Sequence, residues 1–243
     1  MLYERYFETI AGLIHKLHES QGPAIEQAAQ MVADCIAGGG VIHVFGSGHS
    51  HMMAEEVYHR AGGLMAVDAM LDPNLTSFGL LNAGALERTE GYAKVVLATY
   101  DVRPGEVVIV VSNSGINPVP IEMAIEGQAR GARVIAITSA AQYAAVASRH
   151  SSGKKLTDVA DLVVDSLVPT GDATLELQSG KIGAASTVMG AALMNAIMVE
   201  AAALMEQSGS EPPVIVSMNV PGGDERNKHL EERYRPRLRL LRG

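Results

Sequence analysis

The chain has 243 residues, a formal net charge of -8, 47% hydrophobic and 4% aromatic residues, no tryptophan and one cysteine. So acidic a chain lacks the basic face of a general nucleic-acid binder, and no nucleic-acid partner is expected. Cys35 alone excludes an intrachain disulfide and a cysteine-rich metal site, and a core without tryptophan is built from Ala, Val, Leu, Ile and Met, as where helices pack on a sheet.

Residues 3–20 carry Tyr3, Tyr6, Phe7, Ile10, Leu13, Ile14 and Leu17 at helical spacing. Gly22-Pro23 reads as a break, and a second amphipathic helix runs from Pro23 to Ile36 with the proline in its first turn. Residues 1–38 are therefore expected to form a helical hairpin packed on the main domain or on a partner subunit. The charged N-terminus has no apolar signal core, so a cytoplasmic protein is expected.

Val41 to Phe45 is a short apolar strand, followed by the loop Gly46-Ser47-Gly48-His49-Ser50 and a helix from His51 to Ala61. Leu64 to Val67 reads as a second strand that ends at Asp68. Residues 69–81 are poorly patterned, with Pro73 and Gly79 pointing to loop or irregular helix. A helix from Asn82 to Tyr100, weak at Gly84 and Gly91, leads through Pro104-Gly105 to a third strand over 106–111. The second polar loop, Ser112-Asn113-Ser114-Gly115-Ile116-Asn117, leads through Pro118 into a helix read from Val119 to Arg130. Val134 to Ile137 and Leu162 to Asp165 are the fourth and fifth strands.

From Gly180 to Met205 the sequence reads as one long helix, apolar on most sides and so buried in the domain or a subunit contact. Glu200 and Glu206 interrupt it, and no membrane span is expected. The methionines at 189, 194, 198 and 205 read as packing. Val214 to Val216 is a further candidate strand. Three segments follow: helical residues 1–38, a main domain over 39–208, and a charged tail over 209–243. The basic run Arg233–Arg242 reads as solvated or as an inter-subunit arm.

Apolar strands alternating with helices predict an α/β fold: a doubly wound five-stranded parallel sheet in the order 2-1-3-4-5, three layers deep, flavodoxin-like. In that order the first and third strands are neighbours at the switch point, where ligands bind. The loops 46–50 and 112–117 then converge on one site. A strand, a tight hydroxyl-rich loop and a helix N-terminus suit a phosphate, held by backbone N–H groups and hydroxyls because neither loop has a lysine or arginine. The bland alternative is a loop whose side chains only cap the helix at 118. A dinucleotide reading of Gly46-x-Gly48 with Asp68 suffers from His51 at the third glycine position and leaves the second loop unexplained.

These residues resemble the sugar isomerase (SIS) domain family. The pattern strand, Gly-x-Gly-x-Ser, helix, then strand, Ser-Asn-Ser-Gly, helix carries the likeness over roughly residues 25–205. Gly46-Ser-Gly-His-Ser50 is similar to the first loop of hexulose-phosphate and arabinose-phosphate isomerases. Ala54-Glu55-Glu56 resembles a helix of phosphoheptose isomerases, and Ser179 to Thr187 resembles a helix of N-acetylmuramic acid 6-phosphate etherases. The resemblance implies phosphosugar binding, a homodimer or homotetramer, no cofactor, and aldose–ketose isomerisation or related lyase chemistry. It places Ser50, Ser112 and Ser114 at phosphate contacts, with Ser47, Gly48, His49, Asn113 and Asn117 beside them. Asn117 stands where family loops usually have Thr or Ser, and Ile116 stands where some members place a glutamate.

Isomerisation through an enediol needs a base near C2 of the sugar. Glu55 and Glu56 are adjacent, so at most one can serve, and the resemblance favours Glu56. The bland reading points one at solvent and pairs the other with Arg60. Related domains take catalytic groups from the long helix, which makes Glu176 and Lys181 further candidates. His150, Lys154 or His229 could supply an acid. His51 and Glu55, at i and i+4, have a metal-binding spacing but read as a helix-surface pair, so no metal is expected. His43, inside a strand, reads as a satisfied core residue. A sensor that binds sugar phosphates without turnover is the alternative from another class, and the absence of a basic DNA-binding segment disfavours it.

Overall fold

A computed structural model describes residues 1–76 and 83–242. The reading of loop or irregular helix over 77–81, and the helix start at Asn82, lie outside the described residues.

Five parallel strands form the central sheet: β1 (Ile42–Gly46), β2 (Val67–Met70), β3 (Val107–Val111), β4 (Arg133–Thr138) and β5 (Leu162–Asp165). Their order is β2-β1-β3-β4-β5. β1 pairs with β2 from Ile42–Val67 and with β3 from Ile42–Val107, so three N-terminal strand ends lie level. β1 and β3 are buried along their whole lengths, as continuous apolar runs in a sheet covered on both faces should be.

One face carries α1 (Leu2–Ala37), α2 (Met52–Val57) and α8 (Ser186–Gln207). The other carries α4 (Tyr92–Leu97), α5 (Pro118–Ala129) and α7 (Leu156–Val159). Short helices α3 (Ala83–Leu86) and α6 (Ala140–Ala145) connect strands. The antiparallel hairpin β6 (Ala173–Leu177) and β7 (Gly180–Ala184) precedes α8, and α9 (Gly223–Tyr234) and α10 (Arg239–Arg242) close the chain.

Four expectations are corrected. Gly22-Pro23 does not break the N-terminal segment, which is a single helix with Pro23 inside it rather than a hairpin. The buried stripe from Ile10 and Leu17 to Ala28, Val32 and Ile36 stays in helical phase across the proline and packs on α8. Pro23 itself is exposed, where water can satisfy the carbonyl it leaves unpaired. The second strand starts at Val67 rather than ending there, so Asp68 lies inside β2 and not in a loop. The helix read from Gly180 begins at Ser186, because residues 173–184 form the β6–β7 hairpin. Gly183 has φ +84°, a conformation a helix cannot hold.

The fourth correction concerns the tail. Its basic run is solvated only in part: Arg233, Arg235 and Arg242 are exposed, while Arg237 and the Arg239 backbone are tied to the domain. Arg237 donates to Glu106 at 2.6 Å and to Asp101 at 3.2 Å, and the Arg239 backbone N–H donates to Asp68 at 2.9 Å. Val214 makes only an isolated antiparallel bridge, to Leu64. Among the described residues α8 alone is long and apolar enough by composition to cross a membrane; one face of it, including Met189, Leu193, Ile197 and Ala201, is buried in the protein.

Candidate functional site

Both predicted loops sit at the carboxyl edge of the sheet, at adjacent strands. The first turns sharply: a Cβ at Gly46 would lie 2.2 Å from the Ser50 carbonyl oxygen, so only glycine fits. Gly48 has φ +54°, and the 3-10 turn His49–His51 leads into α2. In the second loop Gly115 has φ +59° and donates its N–H to the Ser112 hydroxyl at 3.3 Å.

A crevice joins the loops. His49 and Ser50 form one side and Asn113 lies across from them, with Val111, Ile137 and Met53 as an apolar floor. Ser166, just past β5, and Ser186, Thr187 and Gly190 of α8 complete it. The empty space in the crevice, about 270 Å³ counting its open mouth, leaves room for about one water molecule. It runs from the end of β1, past β3 and β4, to β5.

The other predicted phosphate contacts are placed differently. The Ser47 hydroxyl is buried and donates to Glu87 at 2.7 Å, and the Ser112 hydroxyl is turned into its own loop. Ser114 is half-buried with no side-chain bond among the described residues. Asn117 does not cap α5; its side-chain oxygen accepts from Arg149 at 2.8 Å. The capping alternative therefore does not explain the second loop.

The source of backbone donors also differs from expectation. Pro118 and Pro120 have no N–H, Val119 donates to the Glu87 carbonyl at 3.1 Å, and Ile121 donates to Asn117. The first turn of α5 thus offers an anion almost nothing. The N–H groups of Asn113, Ser114, Ile116 and Asn117 have no protein partner among the described residues, so the loop itself carries the free donors. A positive charge arrives from elsewhere in the chain: Arg149 holds Asn117 by its side chain and donates its backbone N–H to the Ile116 carbonyl. Nothing in the sequence near the loop announces it.

Neither helix glutamate lines the crevice. Glu56 forms an ion pair with Arg60 and accepts from Asn195 of α8 at 2.8 Å. Glu55 is half-exposed, its carboxylate 3.6 Å from the His51 imidazole. His51 is fully buried rather than part of a surface pair, its ring against the Gly48 carbonyl. Glu176 and Lys181 face each other across the β6–β7 hairpin at 3.6 Å, both largely exposed, and not at the start of α8. Asp172 occupies that start, accepting from the N–H groups of Ala185 and Ser186 and the Ser186 hydroxyl.

His150 lies beside Glu122 at 3.6 Å, and with Glu90 the three bring ligand atoms within 4.8 Å of one another. Glu90 accepts from the Ser151 backbone and hydroxyl, which hold its carboxyl below the usual range. This group stands behind the second loop, not in the crevice.

His43 is fully buried at the opposite edge of the sheet. Burial opposes its protonation, but Asp68 at 3.6 Å and Glu106 at 3.0 Å outweigh that and raise its pKa. Glu106 also accepts from the N–H groups of Val41 and Arg103. Burial raises its pKa, while His43, the Arg103 N–H and Arg237 pull it lower, and the net shift is downward. Burial, with Glu106 nearby, pushes the Cys35 thiol up to about 12, as a buried packing residue would be.

The SIS domain family model matches residues 5–139. A UPF0309 protein of Geobacillus thermodenitrificans is 40% identical over 243 residues, covering 99% of this chain and 98% of its own length. A phosphoheptose isomerase of Francisella tularensis superposes with a TM-score of 0.56 at 16% identity, covering 82% of this chain and 95% of that one. A phosphoheptose isomerase of Neisseria gonorrhoeae gives 0.53 at 20% identity, covering 84% of this chain and 100% of that one. At those identities the two structures speak for the fold.

Proposed function

The chain belongs to the SIS domain family, and from that premise we propose that it binds a phosphorylated sugar in the crevice and interconverts its aldose and ketose forms. The convergence of loops 46–50 and 112–117 on one crevice carries the reading. The phosphate is held by Ser50, Ser114 and the free N–H groups of Asn113, Ser114, Ile116 and Asn117, with Arg149 adding positive charge beside Asn117. Hydroxyls and N–H groups suit the many acceptor oxygens of a phosphoester.

Proton transfer between C1 and C2 needs a general base within hydrogen-bond reach. His49 is the imidazole on the crevice wall. Glu55, half-exposed with its carboxylate 3.6 Å from the His51 imidazole, is less tightly held than Glu56. Glu56 would first have to leave Arg60 and Asn195, which makes it the weaker candidate in this geometry. That tie also favours a second reading, in which the protein senses a sugar phosphate without turning it over. A homo-oligomer belongs to the proposal, since Phe7 and Ile14 of α1, Ile182 of β7 and Val199 of α8 are apolar and exposed.

The test is a panel of sugar phosphates screened by thermal shift, then proton NMR for solvent deuterium entering C2. Exchange that Glu55→Gln or His49→Gln slows by 10²-fold or more supports the isomerase with that group as base. Stabilisation without exchange supports the sensor. No stabilisation by any sugar phosphate sinks both.

A further inference from the structure

One fully buried polar side chain in the crevice is left without a partner among the described residues. Ser166 follows β5, is 1% exposed, and its hydroxyl has no hydrogen-bond partner among the described residues. Its surroundings are otherwise satisfied. The Ser166 N–H donates to the Thr138 carbonyl at 2.8 Å, and the Ser139 hydroxyl donates to the Val168 carbonyl at 2.6 Å. The Asp165 carboxylate accepts from the N–H groups of Ala140 and Leu167. Leu167 adopts φ +55°, a tight turn that a leucine rarely makes, directly after the serine. A buried hydroxyl costs stability unless something bonds to it. The crevice that it lines is where such a partner would come from.

Its position decides which part of a ligand it meets. β5 is two strands from β3 in the sheet, so Ser166 lies roughly 10 Å from the loop after β3. A phosphate centred on Ser114, beyond the end of β3, leaves most of that span to the sugar. A triose phosphate falls short of that span, whereas a pentose phosphate or a longer sugar crosses it. Between the two ends lies the apolar floor of Val111 and Ile137, which gives the intervening carbons a surface without competing for their hydroxyls.

Resting on the phosphosugar reading, we propose that Ser166 is a specificity residue: it exchanges a hydrogen bond with a hydroxyl at the end of the sugar distal to the phosphate, and so selects chains of five carbons or more. Ser166 holds the far end of the ligand and takes no part in proton transfer.

The experiment measures dissociation constants of the full chain by calorimetry for inorganic phosphate, glycerol 3-phosphate, and the sugar phosphates of five to seven carbons. In the native protein the longer sugar phosphates bind more tightly than glycerol 3-phosphate. Ser166→Ala weakens the tightest of them about tenfold, the value of one neutral hydrogen bond, and leaves phosphate and glycerol 3-phosphate unchanged. The ligand-free variant melts no lower than the native protein, because the lost hydroxyl had no partner to lose. Unchanged affinity for every sugar phosphate in Ser166→Ala overturns the proposal. An equal loss for inorganic phosphate also overturns it, since Ser166 would then act on the phosphate or on the fold. If the native protein binds no sugar phosphate, the functional reading falls and this inference falls with it. If native binding is lost in Ser114→Ala but indifferent to Ser166→Ala, only the inference falls.

Discussion

The two edges of the central sheet treat polarity in opposite ways. At the amino edge the buried His43, Asp68 and Glu106 and the half-buried Arg237 are paired with each other, and the C-terminal tail is fastened there. At the carboxyl edge the crevice holds hydroxyls, an amide and one imidazole, and the buried Ser166 hydroxyl is unpaired. Charge at the first edge is met by opposite charge, although His43 Nδ1 and Asp68 Oδ2, 3.6 Å apart, share no hydrogen bond. At the second, hydrogen-bonding capacity is left over for something that is not protein. The same strands thus carry a clamp at one end and, in the proposed function, a binding surface at the other. Removing a group should cost stability at the first edge and affinity at the second.

The sharpest way to break this comparison is Glu106→Ala. It removes one carboxylate that serves Val41, His43, Arg103 and Arg237 together. Leaving buried cations without their partner should cost about 3–5 kcal/mol, read as a lowered urea midpoint. Ligand affinity of the fraction still folded should not change. If affinity falls instead, the two edges are coupled and the division is wrong.

Proton concentration probes the same clamp without mutation. The His43 pKa is raised in the folded state, so its contribution is complete below the unfolded value and disappears as pH rises through the folded one. The Glu106 pKa is lowered, so its contribution is present above the unfolded carboxylate value and disappears as pH falls through the folded one. Stability measured by urea unfolding should therefore be greatest between those two limits and fall on both sides, by roughly 1.4 kcal/mol for each tenfold change in proton affinity. A profile with no alkaline decline would mean that His43 is neutral when folded.

At the carboxyl edge the largest effect should come from Gly46→Ala. The added carbon meets the Ser50 carbonyl at 2.2 Å, and that backbone cannot yield without moving the whole first loop. About 1–3 kcal/mol of stability should be lost, with sugar-phosphate binding abolished in the same variant. Retained binding would show that the first loop is not part of the site.

How much of this was legible in the sequence follows the reach of each interaction. The sheet order and four of the strands could be read because β1, β3, β4 and β5 are mainly apolar runs, and the loops stood out as glycine and serine at strand ends; β2 is misplaced because Asp68 interrupts its apolar run. Gly22-Pro23 misled because a local signal for a break was overridden by the packing of the helix face on α8. The hairpin before α8 was missed although Gly180 and Gly183 sit in it, since an apolar run beyond them extended the helical pattern backward. At the site Arg149, Glu87 and Ser166 are more than thirty residues from at least one loop they serve or face, and spacing cannot pair residues across that distance. The two prolines at 118 and 120 could have been read: a helix start lacking two N–H groups is a poor anion cradle.

Ser114→Ala is the gentlest change and separates the two edges best. The hydroxyl is half-buried and bonds to nothing in the described chain, so its loss should alter stability by less than about 0.5 kcal/mol. If it donates to a phosphate oxygen, a charged acceptor, its removal should weaken sugar-phosphate binding about tenfold or more. Inorganic phosphate should weaken by the same factor, because the lost bond is to the group that both ligands share. Calorimetry on the variant beside a urea titration gives both numbers from one preparation. A stability loss larger than the affinity loss would place Ser114 with the clamp residues, as part of what holds the fold, and would leave the free N–H groups of the loop as the remaining phosphate donors.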